Sequence, residues 1–157
     1  MQSHKISLIV DPLRRLRRRQ LEEFAEAARV AVKLRGEVTV LLTSNERIQQ
    51  LNRQYRKKNK ATDVLSFPAP ENLRKEVAGD LAISMDIAAE YARRLGHSLT
   101  KELCVLILHG IIHLAGHDHE TDNGEMATLE AKLRKRFGLP LSLIERTGTE
   151  RTGRGQA

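Results

Sequence analysis

Aromatic side chains are almost missing from this sequence: two tyrosines, three phenylalanines and no tryptophan among 157 residues. A protein that reads nucleic acid by stacking many bases, as RNA-recognition-motif and single-strand-binding folds do, needs more aromatic faces than this. If a polyanion binds, electrostatics should dominate over stacking. Cysteine is nearly absent as well. Cys104 stands alone, which excludes an internal disulfide and fits a reducing compartment. No apolar run is long enough to span a bilayer, because the longest one, from Leu103 through Ile112, is interrupted by His109 and followed by His113. The N-terminus lacks the charged segment, apolar run and small-residue cleavage site of a signal peptide. The expectation is a cytoplasmic protein without a membrane partner.

What is abundant is positive charge. The net charge of +7 is concentrated in two stretches, Arg14, Arg15, Arg17, Arg18 and Arg19 in one, and Arg53, Arg56, Lys57, Lys58 and Lys60 in the other. Either cluster could meet phosphate or could be a solvated helix face. The chain length suits one domain with its own core.

Apolar periodicity gives the order of elements. Residues 5–10 and 37–42 read as strands. Between them the stripe Leu21, Phe24, Ala25, Ala28 and Val32 marks a helix from Leu13 to Lys33 that ends near Gly36. Thr43 with Glu46 forms a capping box for a helix reaching about Tyr55. Short strands follow at 62–67 and 79–84, separated by a loop from Ala69 to Ala78. The spacing then predicts a helix from Met85 to Leu95 closed by Gly96, and another, capped by Ser98 or Thr100, running to about Ala115. This last helix is apolar nearly all round and therefore central and buried. Asp122 with Glu125 caps a final helix ending at Gly138 and Pro140. The result is one α+β domain over residues 1–144, a small mixed β-sheet packed with helices, and a basic tail over 145–157 expected to fray.

The segment His109-Gly-Ile-Ile-His113-Leu-Ala-Gly116-His117-Asp118-His119 carries the chemistry. Histidines at i and i+4 share a helix face with Cβ atoms about 6 Å apart, close enough to converge on one metal. Gly116 should end the helix and turn the chain, so that His119 supplies a third nitrogen from outside it. Were the helix to continue, His117 at i+8 would take that place instead; the turn favours His119. Three protein ligands and an open fourth position are the pattern of a catalytic rather than a structural zinc. A lone histidine on an apolar helix is more often a satisfied core residue. Here four of the six histidines fall within these residues, and burying two of them would leave polar nitrogens to satisfy. His4 and His97 have no such company and read as ordinary residues. Cys104 reads as core packing, and Asp118 and Glu120 could orient ligand imidazoles or cap the next element. A peptidase of the His-Glu-x-x-His kind carries its general base directly after the first ligand. That position is Gly110, which argues against peptide hydrolysis.

On these residues the sequence resembles the YbeY endoribonucleases, bacterial rRNA maturation factors. The family's motif His-Gly-x-x-His-Leu-x-Gly-x-Asp-His is matched by residues 109–119. Two further signatures agree: Leu51-Asn52-x-x-Tyr55-Arg56 followed by Thr62-Asp63-Val64-Leu65-Ser66-Phe67-Pro68, and Gly79-Asp80-Leu81-Ala82-Ile83-Ser84. The matches run in order over about residues 46–137. The resemblance implies a zinc-dependent, single-strand-specific endoribonuclease acting in maturation of the 16S rRNA 3′ end and in ribosome quality control. It implies one Zn2+ per chain on His109, His113 and His119, and a functional role for Arg56. Single-stranded rRNA and ribosomal particles are the implied partners, with ribosomal proteins or a GTPase as candidate protein partners.

Beside the resemblance stands the chemistry of Arg56 itself: a guanidinium fork can hold a phosphate bidentately and neutralise charge developing in the transition state. Its plain alternative is a surface salt bridge. Asp63 and Ser66 have strand-edge or turn roles as good as any catalytic one. Either a zinc-activated water or the RNA 2′-OH could attack the phosphodiester, and no residue of the motif is an obvious general base. Two other readings remain: a metallohydrolase of another substrate, and a ribosome-assembly factor whose zinc is mainly structural.

Overall fold

Val38, Val40 and Leu42 are fully buried while Thr39 and Leu41 between them are less so, a period of two that gives the central strand a core face and an opposite face. In a computed structural model that describes residues 5–57, 62–117 and 122–147, this strand is β2 (Glu37–Thr43). It pairs in parallel with β1 (Ile6–Asp11) and β4 (Val77–Ser84), and β3 (Val64–Pro68) adds antiparallel to β4, giving the order β1-β2-β4-β3. The mixed sheet and single α+β domain are as expected.

On the core face, Leu8, Val10, Val38, Val40, Leu42, Leu81 and Ile83 pack against helices α1 (Arg18–Ala31), α3 (Met85–Leu95) and α4 (Leu99–Leu114), and α5 (Glu125–Arg136) joins the same core by packing on α4. The opposite face carries α2 (Asn45–Arg56), where Ile48 and Leu51 cover Leu41, Leu65, Phe67 and Ala82. Helix α4 is buried along almost its whole length, as an all-round apolar sequence requires. Among the described residues no single helix is long and apolar enough to cross a membrane.

Serine hydroxyls start three of the helices. Ser44, Ser84 and Ser98 accept hydrogen bonds from the backbone N–H groups of Arg47, Ile87 and Lys101, at 3.2, 3.1 and 3.1 Å. The α2 cap is therefore Ser44 and not Thr43, which instead closes the ladder of β2. Helix α1 begins at Arg18, later than the expected Leu13. Leu13 is 86% exposed, so residues 13–17 have no packing to stabilise a further turn. Arg18 fastens the start by donating to the Leu8 carbonyl at 2.8 Å. Gly36 does not close α1 either. The helix turns off at Lys33 in a left-handed conformation (φ 60°), and Gly36 lies where a Cβ would meet the backbone of Ala78 at 2.6 Å and of Arg74 at 2.7 Å. Its lack of a side chain serves the approach of two strands. The loop between β3 and β4 contains a 3-10 turn, Glu71–Leu73.

Beyond α5 the chain forms a helix that the sequence did not suggest, α6 (Leu143–Thr147). The ordered domain thus passes the expected boundary at 144. Arg146 is the reason: its guanidinium donates to both oxygens of Glu102 on α4, at 2.7 and 2.9 Å, with both side chains buried. Residues 148–157 of the expected tail lie outside the described residues. Glu145 accepts from Arg134 at 2.9 Å and from the Ser142 backbone N–H at 2.8 Å. Desolvation pushes its carboxyl up, but these bonds and the Arg134 charge outweigh it and hold the pKa at about 2, below the ordinary 4.5. A carboxyl depressed in the folded state stabilises the fold above its unfolded pKa, and that contribution is lost as pH falls from 4.5 toward 2. With a quarter of the side chain exposed to screening solvent, the expected cost of Glu145→Gln at neutral pH is about 1 kcal/mol. Urea unfolding of both proteins across that window should show the difference vanish at the acid end; a constant difference would contradict the ionic origin.

Candidate metal centre

The last two turns of α4 carry His109 and His113 on one face, with ring centroids 4.9 Å apart and ring planes at 68°. His109 is buried and His113 partly so. Helix α4 reaches this position because Gly110 lets it lie directly on the sheet: a Cβ there would stand 2.6 Å from the Leu81 side chain on β4. Leu81 is fully buried, so a glutamate at residue 110 has no room. The residue that a His-Glu-x-x-His peptidase uses as its base is excluded here by packing, in agreement with the sequence argument.

A residue the sequence reading missed completes the pair. The Nδ1 of His109 lies 2.7 Å from Oε2 of Glu130 on α5, with the carboxylate fully buried. Oε1 of the same carboxylate accepts from the Ile144 backbone N–H at 3.0 Å. With an ionised carboxylate as acceptor, Nδ1 is the protonated ring nitrogen and the lone pair resides on Nε2. A buried carboxylate that orients an imidazole in this way is the usual companion of a metal-ligating histidine. The donor chemistry of the pair therefore fits zinc. The signal for Glu130 was available in the sequence: it occupies the apolar stripe Met126, Leu129, Leu133 of α5, where an acid needs a buried partner.

Helix α4 closes as expected. The Gly116 N–H bonds the His113 carbonyl at 2.9 Å and the His117 N–H bonds the Ile112 carbonyl at 3.4 Å, with Gly116 at φ 103°. This double closure takes His117 off the helix, so it does not stand at i+8 on the face of His109. Among the described residues no three metal-binding side chains gather; His119, with Asp118 and Glu120, lies outside the described residues. Cys104 is buried, and its burial pushes the thiol up to about 12, as a core side chain. His97 is hydrogen-bonded at 2.7 Å to Glu102, a structural contact far along α4 from the histidine pair.

Arg56 ends α2, and Lys57 in a left-handed conformation (φ 58°) turns the chain away. The Arg56 guanidinium is exposed, hydrogen-bonds through Nη2 to the Ser66 carbonyl of β3, and lies 5.4 Å from the centre of the Phe67 ring. The structure thus ties Arg56 to β3, a strand that also packs against α4. Its recorded contacts are with β3 and not with the histidines. Asp63 is buried with Oδ1 accepting from the Val64 N–H at 2.8 Å at the start of β3. Of the basic clusters, Arg18 is engaged internally, Arg14, Arg15, Arg17 and Arg19 are exposed, and Lys58 and Lys60 lie outside the described residues.

Comparison with known proteins bears on all of this. The sequence model described as Endoribonuclease YbeY matches residues 1–138. The Endoribonuclease YbeY of Koribacter versatilis is 59% identical over 127 residues, covering 81% of this chain and 82% of that protein. That of Solibacter usitatus is 46% identical over 131 residues, covering 83% and 86%. The solution structure of TM1509 from Thermotoga maritima is similar with a TM-score of 0.59 at 31% identity, over 85% of this chain and 89% of that one.

Proposed function

The chain belongs to the endoribonuclease YbeY family and is a hydrolytic nuclease, and from that premise we propose that it is a zinc-dependent, single-strand-specific enzyme of rRNA processing. The reading extends to 16S rRNA 3′-end maturation and ribosome quality control in the cytoplasm, with ribosomal particles as the setting and a ribosomal protein or GTPase as protein partner. The observation that carries the metal is the buried His109–Glu130 contact beside His113. His109, His113 and His119 would hold one Zn2+. When bound, zinc supplies Lewis acidity at a phosphoryl oxygen and a more acidic water.

The protein's own groups do the rest. Glu130 fixes the tautomer and direction of the His109 ring. Arg56 places a fixed positive charge on the non-bridging oxygens of the scissile phosphate, where negative charge grows in the transition state. Its bond to the Ser66 carbonyl and its position over Phe67 hold the guanidinium in one direction, which limits the entropy lost when RNA binds. Gly110 keeps α4 close to the sheet, so no acid stands next to the first histidine to act as base.

The test is cleavage of a 5′-labelled single-stranded rRNA 3′-end fragment by zinc-loaded protein, beside His113→Ala and Arg56→Ala purified identically. Cutting by wild type that His113→Ala abolishes and Arg56→Ala lowers by about 100-fold or more is the expected result. Equal cutting by all three would assign the activity to a contaminant. A folded, zinc-bound wild type that does not cut would turn the reading toward an assembly factor.

A further inference from the structure

The apolar stripe of α2 does not end where the sheet ends. Ile48 and Leu51 cover the outer face of β3 and β4, and Tyr55, one turn further along the same stripe, projects past them with 61% of its surface exposed. Its ring meets Phe67 edge-on at 5.7 Å with the planes at 70°. Phe67 is partly buried beneath it, and Arg56 lies on the same Phe67 ring. Two of the five aromatic residues in the chain are therefore spent on one exposed spot, beside the guanidinium that faces phosphate in the proposed reaction. Arg56 is exposed beside it, and Arg53 and Lys57, close in the sequence, are exposed as well. Asp80, the cross-strand partner of Phe67, disfavours a second phosphate on that side of the ring.

Resting on the ribonuclease reading above, we propose that Tyr55 is a stacking platform for one unpaired base of the substrate RNA, adjacent to the phosphate held by Arg56. Phe67 is a positioning residue that holds the Tyr55 ring upright through its edge contact. A helix end offers room for a base only if that base is unstacked from its neighbours, so the subsite selects single strands over duplex by shape. A flat aromatic face accepts any base, so it adds affinity without sequence preference. The Arg56 charge on the same Phe67 ring favours a polyanion over an apolar protein partner.

The experiment mixes the full zinc-loaded protein in a stopped-flow instrument with a short single-stranded oligouridylate carrying one 2-aminopurine, so that binding is read before turnover. Stacking quenches the analogue. With the analogue placed in turn at each position of the oligonucleotide, wild type should quench it strongly at one of them, and Tyr55→Phe should do the same. Tyr55→Ala and Tyr55→Leu should lose the quenching and bind about tenfold more weakly. The dependence of binding on salt should stay unchanged in all four, because no phosphate contact is removed; Arg56→Ala should instead flatten it. The leucine variant keeps an apolar contact with Phe67 and so separates stacking from folding. Tyr55→Ala binding within twofold of wild type, or Tyr55→Leu matching wild type, would overturn the proposal while a cleaving wild type leaves the ribonuclease reading intact. A wild type that neither binds nor cuts RNA would overturn both.

Discussion

Glu130→Ala is expected to lower zinc affinity about 10- to 100-fold and to destabilise the fold by about 2–5 kcal/mol. The buried His109 Nδ1–H and the part-buried Ile144 N–H lose this acceptor at once, and the loss of a buried acceptor costs about 1–3 kcal/mol for a fully buried donor and less for the other. Glu130→Gln separates the two effects. A glutamine offers one carbonyl oxygen where the carboxylate offers two acceptors, so its NH2 must face either Ile144 or His109. If it faces His109, Nδ1 becomes the acceptor and the proton moves to Nε2, the wrong tautomer for ligation. Zinc affinity should then fall nearly as far as in the alanine variant, with a smaller loss of stability because one hydrogen bond to each neighbour can be rebuilt. Competition with a chromophoric chelator reads the first quantity and urea unfolding the second. Wild-type zinc affinity in Glu130→Ala would remove Glu130 from the proposed metal centre and leave it a structural residue.

The second large effect belongs to the other buried acid. Arg146→Ala should cost about 3–5 kcal/mol, because it leaves the Glu102 charge buried without its bidentate partner. Glu102 is fully buried and Arg146 is 3% exposed; the remaining contact recorded for the Glu102 carboxylate is His97 at 2.7 Å. Such a loss is a large part of the whole stability of a domain this size. Replacing both partners with apolar residues of similar volume, Glu102→Leu with Arg146→Met, should restore most of it, since no charge is then left behind. Denaturant midpoints of Arg146→Ala and of the double variant test this. If the double variant is no better than Arg146→Ala, the loss comes from packing of α6 and not from the stranded carboxylate.

The elements set by local chemistry were legible in the sequence. Helix α3 is Met85–Leu95 and closes at Gly96, as its spacing indicates, because Ser84, the apolar stripe and the left-handed glycine (φ 77°) all act within a few residues. The histidine pair was legible for the same reason: i and i+4 is a local relation. What escaped the reading is held by long-range pairs. Arg146 meets Glu102 across 44 residues and His109 meets Glu130 across 21. Within its own neighbourhood Arg146 looks like one more charge in a basic tail, and Glu130, although it stands in the apolar stripe of its helix, gives no local sign of which group it meets. Gly36 misled because a glycine after a helix reads as its cap, whereas the constraint comes from Ala78 and Arg74 on another part of the chain. Tyr55 was read as the end of a helix, and the low aromatic content argued against stacking; that count says nothing of where the few rings are placed.

The two hydrogen bonds on Glu130 also order events in time. One oxygen steadies His109 on α4, and the other is steadied by the backbone of Ile144 in α6. A ribosome makes the chain from its N-terminus, and α6 is the last described helix to emerge. Until it does, Glu130 holds His109 without its second anchor and Glu102 lacks Arg146. The helix that places the two histidines is thus made well before the contact that steadies the acid behind His109.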